Sequence, residues 1–216
     1  MTGAAREDGV ALLIAIMTLL LMSALGTALI LASSAETMIA AHFRDQLEAR
    51  YAADVMLARG IDDMATVGDW TLVTSGAVQS AWVDGAPSGL RMLADGSTLD
   101  LEQALNLATC QKLTACLPGQ LAAVTDDRPW GANNPLWRPY AYGPLRNMMQ
   151  PGAIDSRYYV MLLVGNGPAG ALLALRAEAF GARGAHAVVE ATADKTDYND
   201  APGQVAVKIL SWREVR

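Results

Sequence analysis

Histidine and cysteine are scarce in this sequence, with two of each among 216 residues. His42 and His186 are far apart, and no spacing of histidines and cysteines fits a zinc site. No Gly-x-Ser-x-Gly motif or comparable nucleophile pattern accompanies His186 or Glu190. We therefore expect no catalytic residue, no metal site and no cofactor.

Positive charge is also scarce, because 16 lysines and arginines stand against 22 aspartates and glutamates, a formal net charge of −6. Proteins that bind nucleic acid carry clustered basic residues. The chain has no basic cluster, alone or interleaved with aromatic residues. Nucleic acid is therefore not an expected partner.

Charge is absent from residues 10–35, and the first proline is Pro87. A bilayer core about 30 Å thick requires roughly 20 apolar residues in a helix. The uncharged segment has 26 residues, and a buried core helix seldom extends so far without a polar face. We predict a transmembrane helix over residues 10–35, in contact with membrane lipid.

An amphipathic pattern follows the apolar segment. Apolar residues recur about every fourth position between charged ones, and only Gly26 and Gly60 interrupt residues 10–67. The pattern predicts that the helix continues over residues 36–66 and covers a sheet with its apolar stripe. The residues of this predicted stripe are Ile39, Phe43, Leu47, Tyr51, Val55, Ala58 and Ile61.

Residues 67–216 have the short periodic segments of a globular head. Residues 99–108 are a predicted helix, with Thr98 or Asp100 as its N-cap. Residues 118–152, rich in proline and glycine, are interpreted as a long ordered loop and the favoured place for specific contacts. The predicted strands are residues 70–74, 79–83, 157–164, 172–180, 185–193 and 205–212.

The last strands alternate between apolar and polar residues, and residues 181–184 are interpreted as a hairpin connection. Three or four antiparallel strands with one apolar face need a cover, which the long helix can supply. We therefore predict an α+β fold with a long N-terminal helix packed on a C-terminal antiparallel sheet.

Two motifs in the head suggest ligands but fit them poorly. Residues 165–170 match Gly-x-Gly-x-x-Gly, but a strand pattern follows where a dinucleotide site needs a helix, so a hairpin turn is expected. Asp126, Asp127 and the acidic residues of 194–200 could offer oxygen ligands to calcium, yet their spacing matches no EF-hand. Solvated acidic turns are the expected interpretation.

Cys110 and Cys116 lie six positions apart, beyond the apolar segment. In an oxidising compartment such a pair can form a disulfide. Two free thiols are the alternative.

Three interpretations compete for the N-terminal segment. A cleaved secretory signal has a shorter apolar region, although residues 32–34 could form its cleavage site. A plain signal anchor has a positive flank, but here Arg6 is followed by Glu7 and Asp8. The third is a prepilin leader, in which a short polar segment ends in Gly9 and the apolar helix begins at Val10.

Residues 6–14 resemble the start of a prepilin, and residues 35–40 and 44–54 resemble the N-terminal module of PilX-type minor pilins of type IV pili. The resemblance covers residues 6–64. It implies a leader over residues 1–9, cleavage between Gly9 and Val10 by the prepilin peptidase, and N-methylation of Val10. The further segments are the transmembrane helix 10–35, its amphipathic continuation 36–66 and a pilin-like periplasmic head 67–216.

The resemblance also implies a function and partners. Major pilins carry a glutamate at the fifth position after the cleavage site, where this chain has Ile14. The absence of this glutamate suits a subunit at the filament tip. We expect a non-enzymatic minor pilin in the bacterial inner membrane and later at the pilus tip. Its expected partners are the prepilin peptidase, other minor pilins, pilus assembly proteins and a large tip adhesin.

Two alternatives remain open. A tip-type pseudopilin of type II secretion shares the N-terminal features and also lacks the glutamate. A periplasmic binding protein or enzyme with a plain signal anchor belongs to a different class, and a pocket with convergent polar residues in the head would favour it.

Overall fold

A computed structural model of the chain describes residues 7–149, 155–167, 172–197 and 205–215. The chain divides into two compact units, the first ending at Arg44 and the second beginning at Asp45. Helix α1, Glu7–Thr66, contributes residues to both units.

In the first unit, the described residues form the N-terminal part of α1. Its large apolar side chains are exposed, for example Leu20 at 65% and Leu29 at 71%. The most apolar window of 18 residues has a mean hydropathy of 2.4 and contains no buried residue. The predicted apolar helix is confirmed, and it is long and apolar enough to cross a membrane.

The second unit has a five-stranded antiparallel sheet in which the strands lie side by side in chain order. Successive strands pair in register, as Leu162 with Ala177 and Leu175 with Ala191. The predicted hairpin connection at residues 181–184 is confirmed and contains a 3-10 turn, Ala182–Gly184. The strands are β3 Arg138–Pro144, β4 Tyr159–Asn166, β5 Leu173–Phe180, β6 His186–Asp197 and β7 Val205–Val215.

The C-terminal part of α1 packs on one face of this sheet, which we call the inner face, so the predicted α+β fold is confirmed. The buried helix residues are Ala49, Ala52, Ala53, Met56, Leu57 and Met64, and they share a core with β4, β5 and β6. A Cβ added to Gly60 would lie 2.3 Å from Leu162 Cδ2. Small side chains therefore bring the helix close to the sheet.

The predicted apolar stripe is not the face that covers the sheet. In the second unit, Leu47, Tyr51 and Val55 are 38%, 61% and 44% exposed, and of the stripe only Ile61 packs against the core. The prediction was wrong because it followed one row of large residues, whereas the buried face is a different row, in which alanines and Gly60 alternate with Met56, Leu57 and Met64.

Helix α3, Leu101–Cys110, covers the opposite, outer face of the sheet. The Asp100 carboxylate accepts hydrogen bonds from the N–H groups of Glu102 and Gln103, so one of the two predicted N-caps is confirmed. Residues of α3 pack with Trp137, Met161 and Leu163. Before it lies a two-stranded sheet of β1, Leu90–Met92, and β2, Thr98–Asp100.

Residues 70–74, predicted as a strand, form the short helix α2, Trp70–Thr74. The Asp69 carboxylate caps it by accepting the N–H of Thr71, and the Trp70 indole donates to the carbonyl of Met64. A local cap and a buried ring thus outweigh the strand preference of these residues.

Two further predictions need correction. Residues 79–83 form no strand of the sheet, although they run parallel beside β3, where Val83 bridges Tyr142. Residues 118–152, predicted as a loop, contain β3 itself, together with α4, Pro118–Leu121, and the 3-10 helices Gly131–Asn133 and Leu145–Met148. Pro139 and Pro144 concealed this strand, since proline is tolerated only near sheet edges.

Candidate functional site

The predicted processing site lies in the first turns of α1. Gly9 and Val10 are both exposed, Val10 at 59%, and a Cβ added to Gly9 would meet no atom within 4 Å. Residues 1–6 of the predicted leader lie outside the described residues. The Gly9–Val10 peptide bond is thus not shielded by any described side chain.

Three of the five hydroxyl side chains of the apolar segment form hydrogen bonds within the helix. The hydroxyls of Thr18, Thr27 and Ser34 each donate to the carbonyl four residues earlier, at 2.6, 2.9 and 2.9 Å. In a bilayer, a polar group without a partner costs several kcal/mol. These hydroxyls therefore add little to the cost of placing the segment in lipid.

Cys110 and Cys116 form a disulfide in the structure. It ties the end of α3 to the segment that leads into α4. At the C-terminus of α3, Gln111 adopts a left-handed backbone with φ of +59°, and its side-chain amide donates to Asp127. The disulfide and this hydrogen bond both restrain the outer layer.

The outer face of β5, β6 and β7 carries a chain of charged side chains. Arg176 donates to Glu178 at 2.5 Å and to Glu190 at 2.7 Å, and Arg213 donates to Glu190 at 2.6 Å. His186 lies 2.9 Å from Glu178 and stacks on Phe180. We call these five residues, Arg176, Glu178, His186, Glu190 and Arg213, the charged network.

Glu178 is the most deeply buried carboxylate of this network, at 3% exposure. Burial alone would raise the pKa of Glu178. The positive charge of Arg176 and the hydrogen bond from His186 outweigh burial and hold that pKa below its usual value. Both buried carboxylates are engaged by arginine, which suits a structural network.

The alternation of residues 185–193 places His186 and Glu190 on one strand face but does not show which residues they contact. Glu178 lies opposite Val188 on the neighbouring strand, and Arg176 lies opposite Glu190. The charges at 176 and 178 were visible as an alternating pair in the sequence. Only the strand register shows which residues they meet.

A cavity of about 200 Å³ lies over the outer face beside the charged network. Trp130, Pro135 and Trp137 form one wall, and the Arg213 guanidinium lies 5.5 Å from the Trp130 ring centroid. Arg128 holds this region in place by donating to the carbonyls of Gln120 and Leu121. The other lining residues are Ala174, Glu190, Ala191, Thr192, Ser211 and Arg213.

The glycine motif at residues 165–170 is followed by strand β5 and not by a helix. Gly165 belongs to β4, whereas residues 168–170 lie outside the described residues. The strand that follows offers no helix N-terminus for a pyrophosphate, which agrees with a turn between two strands.

The acidic residues that the structure describes are not arranged as a cation site. The Asp127 carboxylate accepts a hydrogen bond from Gln111, and its backbone carbonyl accepts one from Arg213. Asp194 and Asp197 lie in β6. Among the described residues, no three His, Cys, Asp or Glu side chains are grouped so that they could hold a metal ion. Asp200 lies outside that part of the chain.

Comparison with known proteins assigns no family. No family model matches the chain, and no curated protein or solved structure matches it. The long apolar helix and the antiparallel head are compatible with a pilin-like fold, and the function is inferred from these two features.

Proposed function

We propose that this protein is a minor pilin, a structural subunit that primes or tips the assembly of a bacterial type IV pilus. One observation carries the proposal. A single helix of 60 residues, α1, supplies both an apolar segment able to cross a membrane and part of the core of the head.

The length of α1 favours a pilin-like subunit over a plain signal anchor. A membrane span needs roughly 20 residues, and an anchor can end there in a linker. In this chain the helix goes on for 22 residues in the second unit, 45–66, and buries one face against the sheet. Such a helix suits a subunit in which the membrane segment and the head enter the filament as one piece.

The exposed apolar segment supports the proposed mechanism. We propose that residues 10–35 hold the subunit in the inner membrane, with the head in the periplasm, until assembly. During assembly the same segment leaves the lipid and packs against the helices of neighbouring subunits. Its side chains are exposed all around the helix, as contact with lipid and contact with neighbouring helices both require.

Ile14 supports a place at the filament tip. A charge in the bilayer costs several kcal/mol unless it is paired, and an apolar residue at this position needs no partner. The proposed partners are the prepilin peptidase, which would cut between Gly9 and Val10, other minor pilins, assembly proteins and a large tip adhesin. N-methylation of Val10 belongs to the same proposal.

The same absence of a glutamate favours a second candidate, the tip-type pseudopilin of type II secretion. The two candidates differ in the machine that they serve and not in the chemistry of α1. No enzymatic activity is proposed, since the buried carboxylates Glu178 and Glu190 are both engaged by arginine.

Deletion of the gene, followed by complementation, tests the proposal. We expect the deletion to abolish or strongly reduce surface pili in electron micrographs, and the wild-type chain to restore them. Gly9→Val should fail to restore them because the peptidase requires the glycine. Gly119→Val is the matched control, since a Cβ at Gly119 also meets no atom within 4 Å and this residue lies outside the apolar segment.

Secretion measured in the same strains separates the candidates. Normal pili with a loss of type II secretion would establish the pseudopilin. Normal pili and normal secretion would contradict both candidates and favour a tethered periplasmic protein.

A further inference from the structure

The cavity beside the charged network has an aromatic part and a polar part. Trp130, Pro135 and Trp137 supply the aromatic and apolar surface. Thr192 and Ser211, which lie directly opposite each other on β6 and β7, also line the cavity. Ligand sites typically combine apolar and aromatic surface with a few polar groups that orient the ligand. The lining of the cavity therefore has the composition of a binding site.

The charges at this cavity cancel. Glu190 accepts from Arg176 through Oε1 at 2.7 Å and from Arg213 through Oε2 at 2.6 Å. Since Arg176 also engages Glu178, two arginines stand against two glutamates. An anion would meet the Glu190 carboxylate, and a cation would meet Arg213, whose guanidinium lies 5.5 Å from the Trp130 ring centroid. The cavity therefore favours a ligand without net charge.

The two hydroxyl groups of the lining are available to a ligand. Within the described part of the chain, the side chains of Thr192 and Ser211 form no hydrogen bond. A hydroxyl both donates and accepts, and a ligand that covered these groups without bonding them would leave them unsatisfied. An apolar ligand is therefore disfavoured, whereas a ligand with hydroxyl groups of its own can bond both.

The tryptophans suit a ring with C–H groups on its faces. A sugar ring has such faces, and its hydroxyl groups lie around its edge. Because the face of an aromatic ring is negative, weakly positive C–H groups pack well on it. Trp130 is 39% exposed and Trp137 only 7%, so Trp130 offers the accessible ring. The cavity of about 200 Å³ is smaller than a site for a drug-sized ligand, roughly 300–1,000 Å³, and so suits a single ring.

We propose that the cavity binds one neutral sugar ring, either a free monosaccharide or the terminal residue of a glycan. Trp130 packs against a face of the ring, and Thr192, Ser211 and Arg213 bond its hydroxyl groups. Strand pairing fixes Thr192 and Ser211, and Glu190 and the carbonyl of Asp127 fix Arg213. A site whose groups are fixed in advance loses less entropy on binding.

The inference does not depend on the pilus proposal. A sugar site suits a subunit at a filament tip, and it equally suits a periplasmic binding protein with a plain signal anchor. Binding belongs to the head and is measured on the purified chain, whereas the pilus proposal is tested by N-terminal processing and by pili. Either can fail while the other holds.

Saturation-transfer NMR on the full chain tests the inference. The chain is purified in a polyoxyethylene detergent, because detergents with sugar headgroups would compete for the site. The neutral probes are glucose, galactose, mannose and N-acetylglucosamine, and the charged probes are glucuronate and choline. We expect at least one neutral sugar to bind with a dissociation constant on the order of 1 mM, as befits a ligand of few atoms. Both charged probes should bind more weakly.

Methyl glycosides of the bound sugar identify its source. Equal affinity for the glycoside and the free sugar would support the terminal residue of a glycan. Loss of affinity in the glycoside would support a free monosaccharide. Both results agree with a neutral sugar ring in the cavity.

Two substitutions place the binding in the cavity. Trp130→Ala should weaken it about tenfold, as expected for an aromatic anchor. Trp212→Ala is the matched control, since Trp212 is also partly exposed, at 46%, but faces the other side of β7 from its neighbour Ser211. Ser211→Ala removes one exposed hydroxyl and should weaken binding about fivefold, the equivalent of one hydrogen bond. If Trp130→Ala lowers the urea-unfolding midpoint, Ser211→Ala decides.

Three outcomes would overturn the inference. The first is the absence of saturation transfer to any neutral sugar at about 10 mM, tenfold above the expected dissociation constant. The second is tighter binding of glucuronate or choline than of every neutral sugar. The third is an affinity that Ser211→Ala leaves unchanged, which would place the sugar elsewhere on the protein.

Discussion

The two parts of α1 are both rich in apolar residues but use them differently. In the first unit, apolar side chains surround the helix and stay exposed, as Leu20 does at 65%. In the second unit, Ala49, Ala53 and Met56 are buried against the sheet while Tyr51 stays 61% exposed. Length and composition identify the first part, whereas the buried face of the second combines alanines with larger residues such as Met56.

This difference has a steric cause. A helix with alanine and glycine on one face can approach a sheet closely, and close packing gives many dispersion contacts. At Gly60 no side chain fits without a shift of Leu162. Tyr51 and Val55 lie outside this face and remain at the surface.

The largest expected effect is a difference in stability between substitutions on the two faces of residues 45–66 of α1. Met56→Ala should destabilise the head by about 2–5 kcal/mol, because it leaves a cavity in a buried core. Tyr51→Ala should change stability by no more than about 0.5 kcal/mol. Urea unfolding of the full chain in detergent, followed by fluorescence of its five tryptophans, which all lie after residue 45, measures both. Equal losses would contradict the assignment of the buried face.

The next prediction compares the two parts of α1 directly. Leu20→Arg should weaken membrane insertion by about 2.5–3.5 kcal/mol, the cost of an arginine at the centre of a span. Tyr51→Arg should leave insertion unchanged, since it lies outside the apolar segment. The fraction of protein that remains in the membrane after alkaline extraction checks both. Full retention of Leu20→Arg would argue against a spanning segment.

A smaller effect is expected at the flank of the helix. Asp63 accepts hydrogen bonds from the Tyr140 hydroxyl at 2.8 Å and from the Ser80 hydroxyl at 2.9 Å. Asp63→Ala leaves both donors without this partner and should cost about 1–3 kcal/mol. The neighbouring Asp62 is exposed, so Asp62→Ala is the control. The same unfolding assay applies, and a loss at Asp62 as large as at Asp63 would oppose this interpretation.

The smallest expected effect concerns pH and the outer face of the sheet. The pKa of Glu178 in the folded head lies below its usual value, so its ion pair stabilises the head above the pKa of the unfolded chain. This stabilisation is lost as pH falls through the folded pKa. Urea midpoints should therefore decline below about pH 4.5, and Glu178→Gln should flatten that decline. An identical acid profile in the variant would assign the decline to other groups.

Much of this architecture could be predicted from residue patterns. The uncharged segment, the N-cap at Asp100 and the alternation in β5 and β6 are local signals, and each led to the correct element. Trp70–Thr74 was misassigned because its strand preference outweighed the cap at Asp69 in our prediction. Strand β3 was missed because Pro139 and Pro144 resemble loop residues.

The candidate surfaces were harder to predict because they depend on tertiary register. Glu178 meets His186, and Glu190 meets Arg213, only because β5, β6 and β7 pair as they do. The cavity likewise combines Trp130 with Ser211, 81 positions further along the chain. The spacing of residues within a single helix or strand cannot predict such a contact.

Mass spectrometry of the N-terminus of the mature protein, taken from its native membrane with and without the prepilin peptidase, tests the pilin proposal most directly. We expect a chain that begins at N-methylated Val10 and that is lost when the peptidase is deleted. A chain beginning at Met1 or Thr2 would instead indicate a plain signal anchor, and one beginning near Ala35 a cleaved secretory signal. Either result would contradict the proposal that this protein is a pilin.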